Sequence, residues 1–206
     1  MKLSNNKNVI LHLIMLNASN IITLCWLIFL GYWIINWRSV KPAQEIAWRA
    51  PGFRWTGLWI IILMVLVTHF VFPKYSLHFL TITSTAPLFL QIVGVGLTVL
   101  GLIIAIVARK TLADNWSSDV ELKKGHKLIT KGIYKYVRHP IYTGITFMGL
   151  GAIIVDQSII VTIFFIGMVA FLIFKMKKEE KLLLKHFPKE YPAYMKKTKA
   201  LIPFIY

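Results

Sequence analysis

Long apolar runs alternate with short basic segments along this chain of 206 residues. Three of the runs, at residues 14–37, 55–72 and 87–107, are about as long as the roughly 20 residues that an α-helix needs to cross the hydrocarbon core of a bilayer. Apolar residues make up 57% of the chain, against about 45–50% in an ordinary soluble domain. The pattern therefore predicts an integral membrane protein in which these three runs are transmembrane helices.

Two shorter apolar runs, at residues 141–155 and 158–174, are separated only by Asp156 and Gln157. So short a connection predicts a tight helical hairpin, which returns the chain to the side of the membrane that it left. At about 1.5 Å per residue the first run rises only about 21 Å, so the sequence leaves open whether the hairpin crosses the bilayer completely.

The remaining tail, residues 175–206, keeps apolar positions at helical spacing until Pro188 and Pro192, which we expect to interrupt the helix. This pattern predicts a cytoplasmic helical cap rather than a sixth span. Together, the five apolar runs and this cap predict an all-α fold with about five transmembrane helices. The whole chain, residues 1–206, is predicted to be a single membrane domain.

The basic character of the chain comes from 24 lysines and arginines against 8 acidic residues, a formal charge of +16. Such a charge could attract nucleic acid. The basic residues, however, lie in segments that flank the apolar runs, where contacts with anionic lipid headgroups explain them better. We therefore expect membrane lipids as partners and no nucleic acid.

The distribution of these charges predicts an orientation. Four lysines and arginines follow the first span, only Lys74 follows the second, eight lie between residues 109 and 138, and nine lie in the tail. Because cytoplasmic loops carry the excess of positive charge, the three dense segments face the cytoplasm and the amino terminus faces outside.

Other familiar chemistries have little basis in the sequence. Cys25 is the single cysteine, so one chain offers neither a disulfide nor a cysteine-based metal site, and we predict no metal. The segment Gly94-Val95-Gly96 lacks the preceding strand and the third glycine of a dinucleotide-binding loop. It predicts close packing of helices instead.

A polar cluster at residues 131–142 adjoins the fourth apolar run directly. Arg138 is always charged and can bind a carboxylate or phosphate, while His139 exchanges protons near neutral pH. Pro140 suits the first turn of a helix and favours an extended conformation at His139. The cluster therefore lies at a helix N-terminus, where free backbone N–H groups favour an anion.

Glu179 and Glu180 follow the fifth apolar run and stand among lysines. One interpretation is a solvated charge run. The other is that Glu180, at the same membrane depth as Arg138, helps to bind a zwitterion, with the carboxylate holding an ammonium and the arginine holding a carboxylate or a developing negative charge.

The order of polar motifs in the second half is specific. It contains Asn115-Trp116, then Gly125-His126-x-Leu128-Ile129-Thr130-x-Gly132-x-Tyr134, then Val137-Arg138-His139-Pro140-x-Tyr142-x-Gly144, and finally Glu179-Glu180 followed by Phe187, Tyr191 and Tyr194. This order, over residues 112–203, resembles the isoprenylcysteine carboxyl methyltransferase family and its phospholipid methyltransferase relatives.

The resemblance implies an integral membrane enzyme that binds S-adenosylmethionine from the cytosol and methylates a lipophilic substrate from the bilayer. Residues 1–110 would form three transmembrane helices and residues 111–206 the cofactor-binding and catalytic half. The implied catalytic residues are Arg138 and Glu179. The implied cofactor contacts are His126, Leu128, Ile129, Tyr134, His139, Pro140, Tyr142 and Glu180.

Two departures from the prenylcysteine enzymes leave the methyl acceptor open. The substrate-side arginine of that family, about one helical turn before the second glutamate, corresponds to Met176, with lysines at Lys175 and Lys177. A glutamine-like cofactor contact corresponds to Asp119. A prenylcysteine carboxylate, a phospholipid amine, a thiol or another lipophilic acid all stay possible acceptors, and the oligomeric state is also open.

Two rival interpretations stay open at this point. Membrane sterol and steroid reductases share this carboxyl-terminal architecture and bind NADPH in a related pocket, although they usually have more spans. A small non-enzymatic membrane protein would instead place polar residues along the middle of several spans. Here the polar residues collect at one face of the membrane.

Overall fold

The computed structural model describes residues 2–36, 43–48, 86–117, 120–123, 125 and 127–201. It is mostly helical, as predicted, and the predicted span at 55–72 lies outside the described residues. In chain order the elements are α1 (Lys2–Ile35), β1 (Ala43–Trp48), α2 (Leu88–Leu112), a 3-10 helix (Ala113–Asn115), β2 (Val120–Lys123), a second 3-10 helix (Gly132–Lys135), α3 (Pro140–Asp156), α4 (Ile159–His186) and α5 (Glu190–Lys197).

Glycines bring α2 and α3 into direct backbone contact. A methyl group at Gly101 would lie under 3 Å from the carbonyl oxygen of Gly144, and one at Gly94 would lie 2.8 Å from the carbonyl oxygen of Gly151. These two pairs show that the helices run antiparallel. The close packing predicted for this segment is thus confirmed at Gly94, whereas a methyl group at Gly96 would meet no described atom within 4 Å, so packing there stays a prediction.

Helix α1 covers one side of the α2–α3 pair. Its buried residues belong to the same apolar cluster as residues of α2 and α3; on α1 they are Ala18, Ile22, Cys25, Trp26, Phe29 and Leu30. The Ser19 hydroxyl donates a hydrogen bond to Asp156, 3.1 Å away at the end of α3. At the other end of α1, Arg109 donates to the carbonyl of Asn36 at 3.0 Å, so α1 runs parallel to α2.

By length and composition, two helical segments in the described part of the chain are long and apolar enough to cross a membrane, Ala18–Ile35 and Leu88–Asn115, while Pro140–Asp156 is a shorter apolar helix. The outer faces of the first two carry large exposed apolar side chains; Phe89 is 72% exposed and Ile35 79%. A surface of this kind suits lipid contact.

A two-residue link joins α3 to α4 in the predicted hairpin. Gln157 takes a left-handed conformation, φ 46°, and its N–H donates to the carbonyl of Ile153 at 2.9 Å, which ends α3. Helix α4 then continues without a break to His186, so Glu179 and Glu180 lie on the same helix as the fifth apolar run. The expected interruption at Pro192 is wrong, because this proline lies in the first turn of α5, where no N–H is needed.

A short antiparallel ribbon adds to the helices. Strands β1 and β2 pair with one another, Ile46 opposite Glu121. Val120 and Leu122 of the ribbon pack against Leu182 near the end of α4. The all-α prediction did not include this ribbon, which covers the end of the helix that carries the two glutamates.

Candidate active site

The chain that enters α3 is fixed by the segment that follows α5. The backbone N–H of Arg138 donates to the carbonyl of Lys199 at 2.9 Å, and that of His139 to the carbonyl of Ala200 at 3.0 Å. Within α3, the Thr143 hydroxyl donates to the carbonyl of Leu201 at 2.5 Å. Because three successive carbonyls hold this entry, the side chains of Arg138 and His139 have defined directions.

Arg138 pairs directly with Glu180 on α4. Its Nε donates to Oε1 of Glu180 at 2.8 Å, and the two side chains are only 10% and 15% exposed. Its Nη1 donates to the carbonyl of Thr198 at 2.5 Å and lies 3.4 Å from that of Met195. The prediction that Arg138 and Glu180 lie at one level is confirmed, and their charges are in direct contact with each other.

The His139 ring lies between both glutamates. Its Nε2 is 3.3 Å from Oε1 of Glu180, and its Nδ1 is 3.5 Å from Oε2 of Glu179. Burial opposes protonation of the ring, but the hydrogen bonds and charges of the two carboxylates outweigh burial and raise the pKa of His139. The two carboxylates therefore stabilise the imidazolium form relative to that of a free histidine side chain.

Both glutamates are stabilised as carboxylates. Burial acts to raise their pKa values, yet the nearby cations dominate. Lys175, His139 and the Tyr142 hydroxyl lower the pKa of Glu179, while His139 and Arg138 lower that of Glu180 to about 2. The site therefore contains two fixed negative charges among three cationic groups.

Glu179 has its own set of partners. The Tyr142 hydroxyl donates to Oε1 of Glu179 at 2.6 Å, and Nζ of Lys175 lies 3.6 Å from the same oxygen. Lys175 also lies 5.6 Å from the centre of the Tyr142 ring. The rings of Tyr142 and His139 are parallel within 2° at a centroid distance of 5.4 Å. Aromatic faces and charges thus alternate along one wall.

Two protein carboxylates lie close to the start of α3, and a bound anion at the helix N-terminus itself stays a prediction. Glu179 and Glu180 contact His139 and Tyr142, which flank the first turn of the helix. The positive end of a helix dipole favours negative charge at this position. These glutamates are therefore not a solvated charge run, and the second interpretation of the sequence describes their surroundings better.

Two tyrosines of α5 border the site differently. The Tyr194 hydroxyl donates to the carbonyl of Tyr134 at 2.5 Å. The Tyr191 hydroxyl is buried and has no hydrogen-bond partner among the described residues. Burial raises the pKa of Tyr134, and raises that of Tyr194 to about 12, so both are neutral phenols at physiological pH.

The structure describes three of the remaining predicted residues. Pro140 is the buried first residue of α3, and Ile129 packs in an apolar cluster that includes Tyr134 and Tyr142. Leu128 is half-buried in the loop that follows β2. His126 and Asp119 lie outside the described residues.

Sequence reasoning missed the position of Lys175 in the site. The sequence does not distinguish Lys175 from the neighbouring lysines. In the structure Lys175 is 8% exposed, whereas Lys177 and Lys178 are exposed. Its spacing of four residues from Glu179 could have identified it, because side chains four apart share a helix face. The arrangement as a whole can bind a ligand that carries both charges, with carboxylates for its cation and Arg138 or Lys175 for its anion.

Comparison with known proteins relates this part of the chain to one family. The family model described as "Isoprenylcysteine carboxyl methyltransferase (ICMT) family" matches residues 93–185. That range includes Arg138, His139 and both glutamates, begins before the 112–203 region of the sequence resemblance, and ends before α5. The match supports the resemblance to this family that the sequence motifs predicted.

Individual relatives agree with the family match. The protein-S-isoprenylcysteine O-methyltransferase of Saccharomyces cerevisiae is 31% identical over 147 residues, 70% of this chain and 60% of the yeast protein. Its namesake in Schizosaccharomyces pombe is 31% identical over 139 residues, 65% of this chain and 56% of that protein. The protein-S-isoprenylcysteine O-methyltransferase of Dictyostelium discoideum is 33% identical over 118 residues, which are 55% of this chain and 49% of that protein. This chain thus spans less than two thirds of the length of these relatives.

Proposed function

We propose that this chain is an integral membrane methyltransferase that uses S-adenosylmethionine, because residues 93–185 match the model of the isoprenylcysteine carboxyl methyltransferase family. The observation that carries the proposal is the buried cluster at the start of α3, in which Arg138, His139 and Tyr142 contact Glu179 and Glu180. Such a set of buried, oppositely charged groups at a helix start suits a charged small molecule better than it suits folding alone.

The side chains present fit this methyl donor. S-adenosylmethionine, when bound, supplies an electrophilic methyl group on a positively charged sulfur. Carboxylate oxygens of Glu179 and Glu180 can accept from an ammonium, and Arg138 can donate to a carboxylate. The parallel faces of His139 and Tyr142 provide an aromatic wall, and a tyrosine face attracts a cation.

The catalytic contribution of these residues is alignment and exclusion of water. Methyl transfer is an in-line displacement, so the protein gains most by fixing the direction of approach and by removing competing water. The carbonyls of Thr198 and Met195 hold the guanidinium of Arg138, and the Tyr142 hydroxyl and Lys175 hold the carboxylate of Glu179. We assign Arg138 and Glu179 as the catalytic pair and the remaining predicted residues as cofactor contacts.

The acceptor that the site favours is a lipophilic carboxylic acid of the isoprenylcysteine kind. The relatives named above carry that substrate in their names. In this chain a buried lysine, Lys175, lies 3.6 Å from Glu179 and next to the apolar Met176, and it can hold such a carboxylate. A carboxylate acceptor is already ionised at neutral pH and needs no general base, whereas an amine or thiol would first lose a proton.

Ligand binding tests the proposed function. Protein purified in detergent is titrated in parallel with S-adenosylmethionine, S-adenosylhomocysteine and NADPH, with thermal unfolding and calorimetry as readouts. We expect the two adenosyl compounds to raise the Tm and NADPH to leave it unchanged. Transfer of labelled methyl groups to a farnesylcysteine analogue then tests the acceptor. Stabilisation by NADPH alone would make the chain a reductase-like protein.

We also propose a multi-pass topology with the site facing the cytoplasm. Asn36, Arg109 and Pro140 lie at one end of the helices, whereas Ser19 and Asp156 meet at the other. Since α1 and α2 run in the same direction, we propose that the predicted span at 55–72 returns the chain across the membrane between them.

Cysteine labelling tests this topology in a Cys25→Ser background. We expect a membrane-impermeant maleimide to label Ile159→Cys in intact cells, and to label Lys127→Cys and Lys189→Cys only after permeabilisation. All three positions are exposed. Labelling of Lys127→Cys and Lys189→Cys in intact cells would reverse the proposed orientation.

A further inference from the structure

Tyr191 and Tyr194 offer a natural comparison within one helix. Both are buried, and their rings contact each other edge to face at a centroid distance of 5.9 Å. The Tyr194 hydroxyl donates to the carbonyl of Tyr134, whereas the Tyr191 hydroxyl has no partner among the described residues. Two similar side chains, three residues apart, therefore differ in one respect, which is whether the protein itself satisfies the hydroxyl.

An unsatisfied buried hydroxyl costs free energy, so its presence needs a reason. A buried donor without a partner loses its hydrogen bonds to water and gains none in return, whereas phenylalanine would fill the same space without that loss. Tyr191 is only 1% exposed, so bulk water does not form a hydrogen bond with its hydroxyl. A ligand that completes the hydrogen bond is a physical reason for a tyrosine at this position.

The surroundings of Tyr191 identify the ligand end that it faces. Met195, one helical turn further along α5, has its carbonyl 3.4 Å from Nη1 of Arg138. After burial, the charges that act most strongly on the Tyr191 hydroxyl are those of Glu180 and Arg138, and the net effect raises its pKa. The hydroxyl is therefore a neutral donor, and it belongs to the face of α5 on which the following turn contacts Arg138.

We propose that Tyr191 is a further contact for the methyl donor, whose amino-acid carboxylate accepts a hydrogen bond from the Tyr191 hydroxyl beside Arg138. The inference rests on the proposed function, since it takes an adenosyl amino acid as the ligand of this site. A hydroxyl that donates to a carboxylate forms a charge-assisted hydrogen bond, which is stronger than one between neutral groups.

The experiment compares Tyr191→Phe with its matched control Tyr194→Phe. Calorimetry measures the Kd of each variant for S-adenosylhomocysteine and for methylthioadenosine, which lacks the amino-acid end. For Tyr191→Phe we expect the Kd for S-adenosylhomocysteine to rise about tenfold, with the Kd for methylthioadenosine unchanged and the Tm equal to or above that of the wild type. For Tyr194→Phe we expect a lower Tm and little change in either Kd.

The outcomes separate this inference from the proposed function. If the wild type binds S-adenosylhomocysteine and Tyr191→Phe binds it equally well, the Tyr191 contact is wrong while the proposed function stands. An equal loss of affinity for methylthioadenosine would also overturn the inference, because the hydroxyl would then not face the amino-acid end. If the wild type binds neither compound, the proposed function fails and the inference fails with it.

Discussion

Nε of Arg138 donates to Oε1 of Glu180 at 2.8 Å across 42 residues of sequence. Both side chains are largely buried, and a buried ion pair adds little net stability because the loss of solvation offsets the attraction. Removing a single partner is different, since the other charge then stays largely buried and has lost its direct counter-ion. The pair is thus better understood as a polar surface prepared for a ligand than as a source of stability.

The Arg138–Glu180 pair predicts non-additive effects on stability. Arg138→Ala and Glu180→Gln should each lower the free energy of unfolding, by about 2–4 kcal/mol, because Glu180 then keeps only His139 as a counter-ion and Arg138 then keeps only backbone carbonyls as partners. The double variant should lose less than the sum of the two single losses. Thermal unfolding in detergent measures the cycle, and Glu190→Gln on the exposed surface of α5 is the control. Simple additivity would show that the two side chains do not act as a pair.

The position of His139 between two carboxylates predicts how stability depends on pH. Its pKa is raised in the folded state, so its contribution is complete below the unfolded value of 6.5 and disappears as the pH rises through the folded value. The pKa of Glu180 is lowered from 4.5 to about 2, so its contribution is complete above 4.5 and is lost as the pH falls towards 2.

We therefore expect the largest contribution of this cluster to stability between about pH 4.5 and pH 6.5. The measurement is the Tm of the wild type and of His139→Gln at successive pH values. The Tm of the wild type should exceed that of the variant most near pH 6. This difference in Tm should become smaller as the pH rises from 6.5 to 8.5. A difference that stays constant over this range would mean that His139 is not charged in the folded protein.

The sequence predicted those elements whose formation depends on residues close together in the chain. Pro140 after a polar segment predicted the start of α3, and the two polar residues Asp156 and Gln157 predicted the hairpin. Both depend on the conformations of neighbouring residues, which the sequence specifies directly. The ribbon of β1 and β2 has no such signal, because its strands are short and their pairing depends on a partner more than 70 residues away.

The candidate site shows the same limit. The motif order brought Arg138, His139 and Glu180 onto one candidate list, but it did not show that Arg138 contacts Glu180. That contact depends on the phase of α4 relative to α3, which side-chain packing fixes. The same phase buries Lys175 and exposes Lys177, although the two lysines look equivalent in the sequence.

The backbone contact between α2 and α3 predicts opposite results for two glycines of one helix. Gly101→Ala would place a methyl group against the backbone of Gly144 and Met148, so the helices would have to separate. Gly96→Ala would meet no described atom within 4 Å and should leave the Tm unchanged or slightly higher, since alanine favours a helix.

We expect Gly101→Ala to lower the stability by about 1–3 kcal/mol, the usual range for overpacking. Thermal unfolding of the two variants side by side in the same detergent checks the prediction. The hydrophobicity and helix propensity of the two changes are matched, so only the local space differs. Equal Tm values would mean that α2 and α3 are not in close backbone contact.

The position of Lys175 predicts that its substitution impairs methyl transfer to the acceptor much more than it weakens cofactor binding. Its Nζ lies 3.6 Å from Glu179 and near the face of Tyr142, while Glu180 is held by Arg138 and His139. If Lys175 holds the carboxylate of the acceptor, Lys175→Met should lower kcat/KM for that acceptor about 10-fold to 100-fold, the usual effect of losing a buried charged contact. The Kd for S-adenosylhomocysteine should change much less.

Two further variants make the Lys175 prediction specific. Lys175→Arg keeps a cation at the same position and should recover part of the activity, whereas the exposed Lys177→Gln removes a neighbouring charge and should leave kcat/KM unchanged. Steady-state kinetics with a farnesylcysteine analogue, together with calorimetry of cofactor binding, measures both effects. A parallel loss of cofactor affinity in Lys175→Met would assign Lys175 to the methyl donor, because the lysine would then act through Glu179 rather than on the acceptor.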